Sequence, residues 1–211
     1  MLDRQLSAGL DALGIFASTQ QREQLLQYLA LLIKWNQAYN LTAVRDPASM
    51  VSRHLLDSLA VVPWLDGEYC IDVGTGAGLP GIPLAIMLPQ REFHLLDSNG
   101  KKTRFLFQVK TALALQNVTV HHSRVELFEP QKSYDVVLSR AFASLADMLE
   151  GTRHLLAPGG VLLAMKGARP DDELSQIAQQ CHVKHIRSLL VPGLDEQRHL
   201  VELALPKDDT L

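Results

Sequence analysis

The run Tyr69-Cys70-Ile71-Asp72-Val73-Gly74-Thr75-Gly76-Ala77-Gly78-Leu79-Pro80-Gly81-Ile82-Pro83 holds the chain's densest chemical information. An apolar strand ends in a carboxylate and enters a glycine loop that opens a helix. Glycines permit positive φ and close backbone approach to a ligand, and a helix start presents N–H donors. Gly76-Ala77-Gly78-Leu79-Pro80-Gly81 satisfies the G-x-G-x-x-G spacing of dinucleotide sites, and Asp97 closes the next strand, where a ribose would lie. Two features oppose NAD. Pro80 and Pro83 fall where helix donors should face a pyrophosphate, and Asp72 sets a negative charge beside it. S-adenosylmethionine carries an ammonium and a sulfonium and no phosphate, so the pattern selects it as cofactor, with Asp72, Gly74, Gly76 and Gly78 as the cradle.

Asp97 ends Phe93-His94-Leu95-Leu96-Asp97, where its two oxygens either bind both ribose hydroxyls or cap the helix beginning near Lys101. Downstream of a glycine loop the ribose reading is preferred. After the third strand, Ser123-Arg124-Val125-Glu126 either embraces the adenine or forms a plain turn. Ser139-Arg140-Ala141-Phe142 follows the fourth strand.

These residues need a frame. From Asp3 to about Leu65 apolar residues recur at helical spacing, Leu25, Leu29 and Leu32 on one face, then Leu55, Leu56, Leu59 and Val62. Thr19 followed by Arg22-Glu23 resembles a helix entry, and Asp46-Pro47 restarts a helix after a break around Asn40 to Arg45. After Gly67 the texture becomes β-α alternation, with strands expected at Tyr69 to Val73, Glu92 to Leu96, Val118 to His122, Tyr134 to Ser139 and Val161 to Met165. Such alternation predicts an α/β fold, a mostly parallel sheet whose ligand site lies beyond the carboxyl ends of its strands. Lys184 to Val191 and His199 to Leu205, joined only by Pro192 to Glu196, predict an antiparallel pair. The expected organisation is a helical extension over 1–66 packed on a cofactor-binding domain over 67–211, with a weak tail from Pro206 to Leu211.

The length of 211 residues and 47% hydrophobic content allow one substantial core. Lys and Arg number 20 against 23 Asp and Glu, a formal charge of -3, so any RNA contact is a local patch. Lys101, Lys102, Arg104 and Lys110 form the densest basic group, with Arg45 and Arg53 a second; each is a phosphate clamp or a solvated face. Cys70 and Cys181 lack metal-ligand spacing, so buried thiols and no metal are expected. No apolar run approaches a membrane span and the start reads as no secretory signal, which predicts a soluble cytoplasmic protein, monomeric by default.

Together with Lys34-Trp35-Asn36-Gln37-Ala38-Tyr39-Asn40-Leu41-Thr42, Arg53-His54-Leu55-Leu56-Asp57-Ser58, Lys166-Gly167 and Arg198-His199-Leu200, these motifs resemble the RsmG (GidB) family of bacterial 16S ribosomal RNA guanine-N7 methyltransferases. The resemblance covers nearly the whole chain. It implies a class I, Rossmann-like methyltransferase fold, seven-stranded with an antiparallel last strand. It implies 16S rRNA or the small ribosomal subunit as partner, with the guanine at rRNA position 527 as target. It places cofactor contacts on Gly74, Leu79, Val125, Glu126 and Arg140. Ala77 stands where relatives often have proline, which keeps the loop small. Arg140 is the expected catalytic residue, binding the cofactor's carboxylate or the guanine O6. Phe142 is a stacking surface or a core residue, and Lys166 and His199 are further substrate candidates. His54, Asp57 and His199 either line the cleft or are structural. The rival functions are methylation of a small molecule or protein, and cofactor binding without catalysis.

Overall fold

The computed structural model describes residues 1–206; the expected tail lies outside them from residue 207 onward. The chain opens with α1 (Leu2–Ala12) and α2 (Thr19–Tyr39). Ser18 caps α2: its hydroxyl accepts the Gln21 N–H at 3.2 Å and the Gln21 side chain accepts the Ser18 N–H at 2.9 Å. This reciprocal box satisfies two donors the first turn would leave open, so the cap lies one residue before the expected entry at Thr19. Asn40 ends α2 in the left-handed region at φ 50°. Asp46 accepts the Ser49 N–H at 2.7 Å and starts α3 (Pro47–Met50), which continues as a π-helical turn, Val51–Leu56, and α4 (Asp57–Leu59).

There follow β1 (Tyr69–Val73), α5 (Gly81–Met87), β2 (Glu92–Asp97), α6 (Gly100–Ala112), β3 (Val118–His122), β4 (Tyr134–Ser139), α7 (Leu145–Thr152), β5 (Leu156–Lys166), α8 (Asp171–Ile177), β6 (His182–Ser188) and β7 (His199–Ala204). The seven strands lie in the order β3-β2-β1-β4-β5-β7-β6. β1 to β5 pair in parallel, and β7 runs antiparallel to both β5 and β6. The strand order reverses between β1 and β4, which opens a crevice at their carboxyl ends. β5 begins at Leu156, earlier than the expected Val161, and β6 ends at Ser188 rather than Val191. Most of β6 is exposed, so no buried alternation marks its ends.

One face of the sheet packs α5 and α6 together with everything before Gly67. Leu25, Leu29, Leu32, Leu55, Leu56 and Leu59 are buried in one cluster with Ile82, Leu95 and Phe105. Trp35 reaches this core with its ring 5.7 Å from that of Phe105. A buried leucine contributes roughly 1.5–3 kcal/mol, so these contacts hold the early helices firmly to the sheet. The opposite face packs α7 and α8 around Met148, Leu149, Leu162 and Ile177. Between β3 and β4 that face carries only a short turn, Val125–Leu127. An aromatic group covers it instead: Tyr69 stacks on Tyr134 at 4.7 Å, and His94 Nδ1 lies 2.8 Å from His121 Nε2 and 2.9 Å from the Tyr134 hydroxyl.

Candidate active site

The glycine loop is closed on itself. The N–H groups of Gly74 and Thr75 donate to the Leu96 carbonyl, those of Gly78 and Leu79 to the Thr75 carbonyl, and that of Ile82 to the Gly78 carbonyl. Gly76 N–H donates to Asp97 and Gly81 N–H to Asp72. With these donors satisfied and Pro83 having none, the start of α5 is a poor cradle for a pyrophosphate. Gly74 (φ +68°) and Gly78 (φ +92°) occupy a region that disfavours any Cβ. At Gly74 a Cβ would also lie 2.5 Å from Cβ of Ala141, so the loop and the β4 end approach too closely for a side chain.

Asp72 is fully buried beneath this loop. Its Oδ2 accepts the Thr75 hydroxyl at 2.7 Å and the Gly81 N–H at 2.8 Å, while Oδ1 has no partner. Asp72, expected as a charged part of the cofactor cradle, instead turns inward as a carboxylate under the loop. Gly81 needs an acceptor where water cannot reach, and Asp72 supplies it. Burial pushes its carboxyl up to about 6, against the opposing bonds from Thr75 and Gly81. Tyr28, fully buried on α2, completes the support by donating its hydroxyl to the Ala77 carbonyl at 2.8 Å.

Over the loop lies a cleft of about 360 Å³, lined among others by Gly74, Asp97, Ser98, Lys102, Val125, Glu126 and Phe142. That volume lies within the range of small-ligand sites. Asp97 Oδ1 accepts the Asn99 N–H at 2.8 Å, and Oδ2 accepts Gly76 N–H at 2.9 Å with the Lys102 ammonium 3.7 Å away. Each oxygen retains a lone pair for a ribose hydroxyl. Asn99, not Asp97, caps α6, accepting the Lys101 N–H at 2.9 Å. The capping alternative for Asp97 therefore falls away.

A second cavity of about 360 Å³ adjoins the end of β4 and is lined by Arg53, His54, Asp57, Arg140, Lys166, Arg198 and His199, among others. Asp57, nearly buried, accepts Arg140 Nη1 at 2.8 Å and Arg198 Nε at 2.9 Å. His54 Nε2 lies 2.9 Å from the Thr42 hydroxyl and its buried Nδ1 has no partner; burial pulls its imidazole below the usual range. His199 Nδ1 lies 2.8 Å from the Gly167 carbonyl and donates to it. Lys166 is engaged by Glu173 at 2.8 Å and by the Ala143 carbonyl at 3.2 Å, so it ties β5 to α8.

The sequence candidates thus fall into three groups. Gly74, Asp97, Val125, Glu126 and Phe142 line the first cleft; Asp72, Gly76, Gly78 and Leu79 build the loop; Arg140, Lys166 and His199 line the second cavity. Phe142 is half-buried: it packs against the cluster around Met148 and Leu149 and also borders the first cleft, so both alternatives stand. Of the basic groups, Lys102 faces Asp97, Arg53 pairs with Glu196, and Arg45 is bound by Asn36 and Asn40. Tyr28 and Glu173 escaped the sequence reading, and Arg198 entered it only within a family motif, without a role of its own. Tyr28 lay on the face marked by Leu25, Leu29 and Leu32, and a buried tyrosine hydroxyl requires an acceptor. Among the described residues no helix is long and apolar enough to cross a membrane, and no group of three or more His, Cys, Asp or Glu could hold a metal.

Solved structures share this fold. A SAM dependent methyltransferase from Aquifex aeolicus matches with TM-score 0.60 and 16% identity, covering 78% of this chain and 96% of that one. A SAM-dependent methyltransferase from Geobacter sulfurreducens, in complex with S-adenosyl-L-homocysteine, matches with TM-score 0.56 and 11% identity over 84% of this chain and 98% of that one. Among relatives in sequence, a Pseudomonas syringae protein named ribosomal RNA small subunit methyltransferase G is 56% identical over 95% of this chain and 94% of its own length. A Cellvibrio japonicus protein of the same name is 56% identical over 96% of this chain and 95% of its own length. The family model described as rRNA small subunit methyltransferase G (GidB) matches residues 21–201, and the chain belongs to that family.

Proposed function

We propose that the chain transfers a methyl group from S-adenosylmethionine to N7 of a guanine in 16S ribosomal RNA, with rRNA position 527 as the expected target. The observation that carries this reading is the 56% identity, over 95% of the chain, to a protein named ribosomal RNA small subunit methyltransferase G. The site supports it physically. A cleft with a carboxylate at the ribose position and no pyrophosphate cradle fits a nucleoside without phosphates.

Bound S-adenosylmethionine supplies an electrophilic methyl carbon. Asp97 would receive the ribose hydroxyls, Val125 and Glu126 would flank the adenine, Gly74 would permit close approach, and Arg140 would bind a carboxylate or the guanine O6. Guanine N7 carries an available lone pair, so no residue has to remove a proton. The protein's contribution is alignment of acceptor and donor in a near-attack geometry. Phe142 offers a stacking face for a splayed-out base, since N7 is hidden in the deep groove of paired RNA. Residues 1–66 act as an extension on the 67–211 domain and bring Arg53, His54 and Asp57 to the second cavity.

Purified protein is incubated with methyl-labelled donor and small subunits from a strain lacking it, and the product is digested to nucleosides. Label in 7-methylguanosine at one 16S position is expected. Label only in protein or small molecules, or binding without transfer, would overturn the reading.

A further inference from the structure

The second cavity carries an unbalanced charge. Arg53 is matched by Glu196 and Lys166 by Glu173, whereas Arg140 and Arg198 share the single carboxylate of Asp57. One positive charge is left in excess between these two guanidinium groups and the carboxylate they share. Arg198 uses Nε on Asp57 and Nη1 on the Gln197 carbonyl, which keeps further guanidinium donors for a ligand. Neither arginine lines the cofactor cleft, although Ala141 and Phe142, directly after Arg140, do. Asp57 is delivered to this place by the π-helical turn Val51–Leu56, a local widening that recurs at functional sites.

We infer that Asp57 is a positioning residue that holds Arg140 and Arg198 as a fork, and that Arg198 contacts an RNA phosphodiester flanking the target guanine. The inference rests on the proposed rRNA substrate. A guanidinium is suited to this contact because its planar donors match two phosphate oxygens. The shared carboxylate fixes the distance between the arginine near the cofactor cleft and the arginine that reads the RNA backbone. It thereby links register on the RNA to alignment at the methyl donor.

The test uses full-length protein with unmethylated small subunits, measuring salt-dependent binding, KM, kcat and the Kd of S-adenosylhomocysteine. Arg198→Ala is expected to raise the subunit KM about tenfold and to reduce the salt slope of binding by about one, with cofactor-product affinity at the wild-type value. Asp57→Asn keeps both cations but frees them. It is expected to bind subunits with a salt slope as steep as wild type or steeper while kcat falls about tenfold, a split that a general loss of structure would not produce. If Asp57→Asn fails to fold, Arg198→Ala still decides. Wild-type KM and salt slope in Arg198→Ala, or loss of S-adenosylhomocysteine binding in that variant, would overturn the inference alone. Absence of salt-dependent subunit binding by the wild-type protein would overturn the rRNA reading with it.

Discussion

Gly74→Ala isolates the geometry of the cofactor loop, and its cost can be worked from two separable sources. The backbone there has φ +68°, a conformation that costs an alanine roughly 1–2 kcal/mol relative to glycine. The new methyl would lie 2.5 Å from Cβ of Ala141, an overlap that forces a shift costing about 1–3 kcal/mol. The sum, about 2–5 kcal/mol, is a large part of a typical domain's stability. Ala141→Gly should relieve only the overlap, because the φ of residue 74 is unchanged. Alone that change costs about 0.4–1 kcal/mol through the freer unfolded chain. The double variant is therefore expected to recover about 1–3 kcal/mol relative to the sum of the singles. Urea denaturation supplies the stabilities, and calorimetry with S-adenosylhomocysteine should show affinity at least about tenfold weaker in Gly74→Ala, partly restored in the double variant. If the two substitutions add to within about 0.5 kcal/mol, the contact across the cleft does not set the loop's position.

Two further outcomes follow from buried polar groups. Tyr28→Phe removes the one donor to the Ala77 carbonyl found among the described residues, and should cost about 1–3 kcal/mol while weakening S-adenosylhomocysteine binding; unchanged affinity would mean that α2 does not support the loop. Burial, with His121 and Lys110 beside it, pushes His94 down to about 4. The unfolded chain then takes up this proton first as pH falls. Stability from His94 is present above about 6.5 and is lost as pH falls towards 4. Asp72, pushed up to about 6, works in the opposite direction, so the comparison of wild type with His94→Gln at pH 7 and pH 5 isolates the histidine. An equal acid loss in both proteins would refute the assignment.

Much of the architecture was legible because local pattern and tertiary outcome agreed. The strands Tyr69–Val73, Val118–His122 and Tyr134–Ser139 have the bounds that apolar runs and their flanking breaks imply. Asp46-Pro47 is a helix start in the fold as in the pattern. The site was legible as far as residue type and spacing determine chemistry, which is why the glycine loop and Asp97 came forward. Partners distant in sequence were not. Nothing near Asp57 announces Arg140 or Arg198, and nothing near Asp72 says that its carboxylate turns inward to Gly81 instead of facing a ligand. Lys166 came forward as a substrate candidate without its partner, because Glu173 lies across a loop from it. Such pairings depend on crossover geometry, which periodicity does not encode.

The strand order has a consequence for how the protein is made. Gly74, Asp97, Val125 and Phe142 meet only when β1, β2 and the start of the β4–α7 connection lie side by side. During synthesis this cleft cannot form until residue 142 has left the ribosome, even though α2 and Tyr28 emerged long before. A chain stopped just short of that point would hold the whole of the glycine loop's sequence without the cleft beside it. Retention of the nascent chain on an immobilised S-adenosylhomocysteine resin would therefore report the docking of β4 beside β1 in a single step, not gradual accretion.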